Sequence, residues 1–421
     1  MKPKVAKRRL SQGEADVIFD AHARFVGRQP GGKRACLRLV DLSGLDLSGR
    51  DLSEADLSGS SLDECRLMRA TLERANLFGC SLRGADLRWA RLMRADFRGA
   101  SLRGANLSQA DLTQADFRAG QITLADPNPR AAAMRAAEGD VGLDQAVLAG
   151  ATLDGSHLND VSACAADFSD CSMRGVNLTG ARLKDADFTG AQLDGAAVDG
   201  AILDRVNFNG ATLCGVQVAR ARSSQGADMT GALLDPTPDA LARAEALLDQ
   251  LRANHDWCES GGRHGGPAQL DGADLRPLGD AIRGLRLSGL SAKGACFVGL
   301  DLSNVQLQGA MLEGADLRGA CLRNADLTGA RMSDANLNRA HLNHACLTSL
   351  PLGGGRSIPT TLNRARLRYA QLGGADLSGA VVEEADLWGA DLTDAKVWRL
   401  SLKGSVLDHV SGLDAEICAA A

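Results

Sequence analysis

Residues 95–117 read ADFRG ASLRG ANLSQ ADLTQ ADF. Cut into fives, the stretch places a small residue, usually Ala, two positions before a large apolar centre, with a polar residue between them. A five-residue step advances about 140° around an α-helix, so the centres would smear over its whole surface. In a strand an odd repeat sends successive centres to opposite faces. Each unit must therefore contain a corner. The small residue and the centre, as at Ala105 and Leu107, then face inward, Asn106 points out, and Ser108 and Gln109 turn the chain onto the next side. Repeated, this winds a parallel β-coil.

Aromatic centres give the number of sides, because successive turns stack like on like. Phe97 and Phe117 are twenty residues apart, as are Phe168, Phe188 and Phe208; the outward columns Asp56, Asn76, Asp96, Asp116 and Asp167, Asp187, Asn207 keep the same interval. Twenty residues are four units, a square turn. The run A(D/N)LxG resembles the pentapeptide-repeat family over most of the chain. That resemblance implies an all-β fold, a right-handed quadrilateral parallel β-helix, here expected with helical lids and loop insertions. It also implies a binding protein; some members resemble duplex DNA in shape and charge and bind type II topoisomerases, protecting them from quinolones or inhibiting them.

A chain of 421 residues ordinarily holds two or three domains, but repeats contact only their neighbours, which makes one or two solenoids the better reading. Residues 1–34 form a basic N-terminal segment and a capping helix, with a Ser-x-x-Glu capping box and Val17, Ile18, Ala21 and Phe25 at helical spacing. A first solenoid covers 35–235, with centres every five residues from Leu37. It is broken at 123–142 by a loop carrying a short helix (Asn128 N-cap, Pro129, Gly139 stop), then resumes in a new phase at Leu143 and runs to Val218. Residues 236–267 are a linking and capping helix opened by Thr237 and Pro238. Its continuation, ANHDWCESGGRHGGPAQL, echoes AHARFVGRQPGGKRACL near the N-terminus and aligns Trp257 with Phe25. A second solenoid spans 268–412, with a loop at 353–360 that replaces the one centre between Leu352 and Leu362, and 413–421 is a tail. The expected core includes Leu77, Leu87, Phe97, Leu107, Phe117, Phe168, Phe188, Phe208, Leu317, Leu327, Leu377 and Leu387.

Charge is unevenly spread: about +6 over residues 1–34, near zero over 35–122, about −6 over 143–218 and near zero over 270–412. No 18-residue apolar run suggests a membrane span, and no apolar run follows the basic start as a secretory signal would, so a cytoplasmic protein is expected. Cys65, Cys80 and Cys171 occupy the small inward slot and read as buried hydrophobes, not as a disulfide framework. His341, His344 and Cys346 have the spacing of a soft metal site, but on the repeat frame they point to different sides, so neither metal nor cofactor is expected. No catalytic triad or phosphate-cradling glycine motif stands out, and a non-enzyme is expected.

Two surface patterns remain as a candidate partner surface. Arg83 under Arg103 and Arg98 under Arg118 would form basic columns, or be Arg interleaved with Asp86, Asp96 and Asp116 on a solvated wall. Asp154, Asp194 and Asp204 belong to the acidic segment. Three functions stay open: a scaffold binding an unidentified protein partner through solenoid surface and inserted loops; a DNA-mimicking modulator of a type II topoisomerase such as gyrase; and direct nucleic-acid binding through the basic columns. The coil's exposed C-terminal edge also invites a homodimer.

Overall fold

The computed structural model describes residues 7–119 and 142–413. The expected loop and helix around Asn128, Pro129 and Gly139, and the tail beyond Leu413, lie outside the described residues. The chain divides into two compact units, Met1–Asp235 and Pro236–Ala421.

In the first unit, β1 (Arg8–Arg9) pairs in parallel with β2 (Val40–Asp41), and α1 (Gln12–Val26) lies between them in sequence. The capping box forms: Ser11 accepts from the Glu14 amide, and the Glu14 carboxylate accepts from the Ser11 amide. The buried face of α1 is Ala15, Phe19 and His22, with Ile18 partly buried beside them. Val17 is 71% exposed and Phe25 37%, so the apolar face expected from Val17 and Phe25 is corrected by a rotation that puts a polar residue, His22, inside. Two paired hydrogen bonds of 2.9 Å join the Gln12 amide side chain to the Asp46 backbone and fix the helix on the coil.

The coil is a ladder of parallel bridges between residues twenty apart, such as Asp86↔Asn106, Ser81↔Ser101 and Asp167↔Asp187. Four five-residue units therefore make one turn. Within a unit, the small residue's amide closes a turn on the preceding centre, as Ala90 does on Leu87 at 3.0 Å, while the centre's own amide reaches the next turn, as Leu87 to Asn106 at 2.7 Å. Only one or two residues per side are extended enough to pair. The sides are therefore isolated bridges instead of strands, and strand content is low although the coil is complete. The third residue of each turn has positive φ even where it is not glycine, as at Trp89 (57°) and Gln109 (58°); Trp89 Nε1 donates to Gln109 Oε1 down that corner.

Where the register changes, the structure absorbs it locally. Ser101↔Gly142 and Asn106↔Val147 pair across residues 120–141, so the coil resumes on the next turn with no side lost. A 3-10 turn at Val218–Arg220 takes up one extra residue before Ile202↔Ser223, which corrects Val218 from a core centre to a half-buried turn residue.

Leu77, Leu87, Leu107, Phe168, Phe188 and Leu327 have no exposed surface; Phe97, Phe117, Phe208, Leu317, Leu377 and Leu387 have at most 3%. Phe97 stacks on Phe117, and Phe168 on Phe188, with centroids 4.8 Å apart; Phe188 stacks on Phe208 at 5.4 Å. The two stacks occupy different sides, because the bridge order carries Asp116 to His157 and not to Asp167.

Polar residues in the small inward slot serve the backbone. The thiols of Cys65, Cys80 and Cys171 donate to the carbonyls of Leu42, Leu57 and Leu148 at 3.0 Å, as the Ser60 hydroxyl does to Leu37 at 2.6 Å. Burial pushes the Cys65 thiol up to about 11 and that of Cys80 to about 12. Alkylation of the native protein with iodoacetamide at pH 7.5 is therefore expected to modify exposed Cys36 while Cys65 and Cys80 react only after unfolding.

In the second unit, α2 (Pro238–Glu259) starts at the Thr237 N-cap and buries Leu251 and Asn254. A 3-10 segment at Arg276–Ile282 makes the first turn two residues longer, Gln269↔Ser291, after which the interval is twenty. From Arg331↔Thr361 to Cys346↔Asp376 it becomes thirty. The ten added residues are an antiparallel hairpin, β3 (Leu350–Gly353) and β4 (Arg356–Ile358), outside the coil. This corrects the loop at 353–360: Leu352 is 51% exposed and is no centre, because two whole units have left the wall.

Candidate functional site

On a pleated wall the residues just before and just after a centre point the same way. An Asp before the centre and an Arg after it therefore meet. Arg98 reaches Asp96 at 2.8 Å and Arg118 reaches Asp116 at 2.7 Å, with Asp116 also 3.8 Å from Arg98. The hydrogen bonds Arg98 donates to Asp96, with that carboxylate's charge, raise the Arg98 pKa further. Arg83 donates to the Ser101 hydroxyl at 3.4 Å, and with Arg103 it lies on a different side from Arg98 and Arg118, one fixed by Ser81↔Ser101, the other by Asp96↔Asp116. The four arginines are thus two columns on two walls, the second of them neutralised in place.

The acidic candidates are structural ties between turns. Asp154 accepts from the Ser172 hydroxyl at 2.7 Å and the Arg174 amide at 2.9 Å; Asp194 accepts from Thr212 at 2.8 Å and the Cys214 amide at 3.1 Å. Asp204 binds the Ser223 hydroxyl and, at 3.0 Å, the Gln225 amide. These two bonds, the hydroxyl first, hold its carboxyl below the usual range. Asp154 and Asp194 share a side, but Arg174 stands between them; Asp204 is on another, in line with Lys184.

A third feature was not anticipated from the sequence. On one wall of the second unit, Tyr369, the chain's single tyrosine, meets Trp388 edge to face at 5.1 Å, and Trp388 meets His409 at 5.0 Å. The guanidinium of Arg339 sits over Tyr369 at 4.9 Å and that of Arg368 over Trp388 at 5.4 Å. Arg366, exposed beside them, belongs to the same wall through Asn336↔Arg366↔Asp386. Spacing hides this ladder, because Tyr369 and Trp388 are 19 residues apart and Trp388 and His409 21, and the hairpin sets Arg339 thirty from Tyr369.

His341 Nδ1 pairs with Gln371 Oε1 at 2.8 Å, and Cys346 lies 3.4 Å from the hydroxyls of Thr328 and Thr348. Among the described residues no group of three or more His, Cys, Asp or Glu side chains is placed to hold a metal ion. A shallow depression is lined by Asp256, Glu259, Ser260 and His264. No helix among the described residues is long and apolar enough to cross a membrane.

Overlapping copies of the pentapeptide-repeats family model match residues 35–126, 143–217, 286–349 and 360–408. The fold such a match carries is a right-handed β-helix. No curated protein sequence matches. Among solved structures, a pentapeptide repeat protein from the Arabidopsis thaliana thylakoid lumen is 30% identical over 29% of this chain, which spans 66% of that protein, with a TM-score of 0.20. QnrB1, a plasmid-mediated fluoroquinolone resistance protein, is 19% identical over 51% of this chain and 92% of its own length, TM-score 0.23. HetL, involved in heterocyst differentiation regulation in the cyanobacterium Nostoc sp. strain PCC 7120, is 22% identical over 95% and 98%, TM-score 0.14.

Proposed function

Because this chain belongs to the pentapeptide-repeat family, we propose that it is a non-enzymatic scaffold, a quadrilateral coil with helical lids at α1 and α2, whose walls and projecting hairpin dock a protein partner. The observation that carries this reading is the ladder of Arg339, Tyr369, Trp388 and His409 with Arg366 and Arg368. The coil is built from Leu, Ala and Phe and has no need of Trp or Tyr on its outside. Trp, Tyr and Arg are the residues that dominate binding energy at protein interfaces.

The test is capture of partners from the native cell by the purified chain, comparing wild type with Trp388→Ala/Arg366→Glu. Truncating an interface hot spot costs about 2 kcal/mol or more, roughly thirtyfold in affinity. A specific partner retained by wild type is expected to be lost from the variant while the circular dichroism spectrum is unchanged. Equal retention by both would overturn the reading.

A duplex-mimicking modulator would need an unbroken acidic wall, and Arg174 and Lys184 interrupt the acids at Asp154, Asp194 and Asp204. Nucleic-acid binding through Arg98 and Arg118 is opposed by their ion pairs with Asp96 and Asp116. Self-association through the C-terminal end of the coil is supported by the last turn among the described residues, where Trp398 is 66% exposed and Val397, Leu407 and Val410 are only partly buried. Light scattering is expected to give a dimer mass, reduced to that of a monomer by Val410→Asp.

A further inference from the structure

The junction between helix and coil is built twice. In the first unit the Lys33 amide donates to the Ala21 carbonyl at 2.9 Å, and the Ala35 amide donates to His22 Nδ1 at 3.1 Å. In the second, the Gly266 amide donates to the Ala253 carbonyl at 3.3 Å, and the Ala268 amide donates to Asn254 Oδ1 at 3.1 Å. His22 and Asn254 are both fully buried, and each precedes by three residues the aromatic of its junction, Phe25 or Trp257. The second polar atom of Asn254, Nδ2, donates to the Ser288 carbonyl at 3.3 Å. That of His22, Nε2, is buried facing the Ser53 backbone without a hydrogen bond of ordinary geometry. One architectural task, receiving the first backbone amide of the coil, thus falls to a titratable side chain in one unit and to a non-titratable one in the other.

We propose that His22 makes the α1 lid an acid-released latch, whereas Asn254 holds the α2 lid irrespective of pH. A ring nitrogen that accepts from the Ala35 amide must be unprotonated. Protonation would set two donors, N–H against N–H, face to face in a site closed to water. Released, α1 would uncover the apolar face of Ala15 and Phe19 and the first coil edge at Ala35. The latch is independent of which partner the walls bind.

The charged groups around His22 are Asp51 and Glu54, which favour the imidazolium, and Arg34, which opposes it. Asp51 is engaged by the Ser53 amide and hydroxyl, at 3.0 and 2.6 Å. Phe25 stacks on the ring at 5.9 Å. Burial outweighs the Ser53 backbone and the acids, so the His22 pKa lies below its ordinary value. The sign follows: between the folded and unfolded pKa the open state binds more protons, so closure weakens as pH falls through about 6.5.

Hydrogen–deuterium exchange of the full chain at pH 7.5 and 5.5, corrected for intrinsic rates, tests this. In the wild type, opening of α1 and of the Ala35 amide should rise up to about tenfold at pH 5.5, the factor by which a free imidazole takes up protons there; α2 and Ala268 should not change. His22→Asn should flatten the α1 response. If that variant does not fold, Asn254→His decides, by giving α2 the acid response. Equal response of both lids, no response in α1, a persisting response in His22→Asn, or an α2 left unresponsive by Asn254→His would overturn the latch.

Discussion

Leu107→Asp is expected to destabilise the first unit by on the order of 5 kcal/mol, combining the loss of a buried Leu with the burial of an unpartnered charge. Leu107 has no exposed surface, and its amide reaches the Val147 carbonyl at 2.7 Å while the Val147 amide returns to Ala105 at 2.9 Å. It therefore joins the turns on either side of residues 120–141, where no continuous run of repeats could compensate. Ala105→Trp should act comparably, since the small slot is equally closed. Ser108→Asp, one residue along and directed outward, gives up only the bond from its hydroxyl to Asn106 at 2.7 Å and should stay within about 1 kcal/mol. Urea unfolding followed by circular dichroism separates the three. A Leu107→Asp protein as stable as Ser108→Asp would show that the centres are not the core.

Gly265→Val is expected to cost about 3 kcal/mol, from overpacking and a conformation that β-branched residues avoid. A Cβ at Gly265 would lie 1.9 Å from the Ala253 carbonyl oxygen, and φ there is +74°. The corresponding residue of the first unit, Gly32, would place a Cβ 2.4 Å from the Phe25 nitrogen, so Gly32→Val should unseat α1 in the same manner. Gly266→Ala meets nothing within 4 Å and should change stability by less than about 0.5 kcal/mol. Limited proteolysis reads the outcome: cleavage in or after the helix should accelerate for Gly265→Val and Gly32→Val alone. Unchanged cleavage would mean that neither helix is seated by this close approach.

The coil was legible because its signal is redundant: every Leu and Ala column repeats the same steric demand, and stacked phenylalanines mark the number of sides. The hairpin was hidden for an arithmetic reason. Ten residues are two units, so Leu352 keeps the phase of Leu347 and Leu362 although it stands outside the wall; only pairing thirty residues apart discloses the excursion. The face of α1 was misplaced because His22 looks polar in a list of residues and is buried in fact, its ring nitrogen doing what Asn254 does elsewhere. As for the surface, the arginine columns could be located by counting, but the neutralisation of the Arg98 and Arg118 column depends on Asp96 and Arg98 projecting from the same side of the pleat. The Tyr369–Trp388–His409 ladder is masked because its members are 19 and 21 residues apart instead of twenty, while the hairpin sets Arg339 thirty from Tyr369.

The fold rests on a closed turn of twenty residues, and disulfide trapping measures that directly. Ser81 and Ser101 are bridge partners, and neighbouring strands lie about 4.8 Å apart, within reach of a disulfide. Under mild oxidation, peptide mapping of Ser81→Cys/Ser101→Cys should recover the linked pair in high yield, and Ser81→Cys/Asn106→Cys, five residues further on and around the corner, should not link. Equal linkage in both variants, or linkage only in the second, would contradict the four-unit turn.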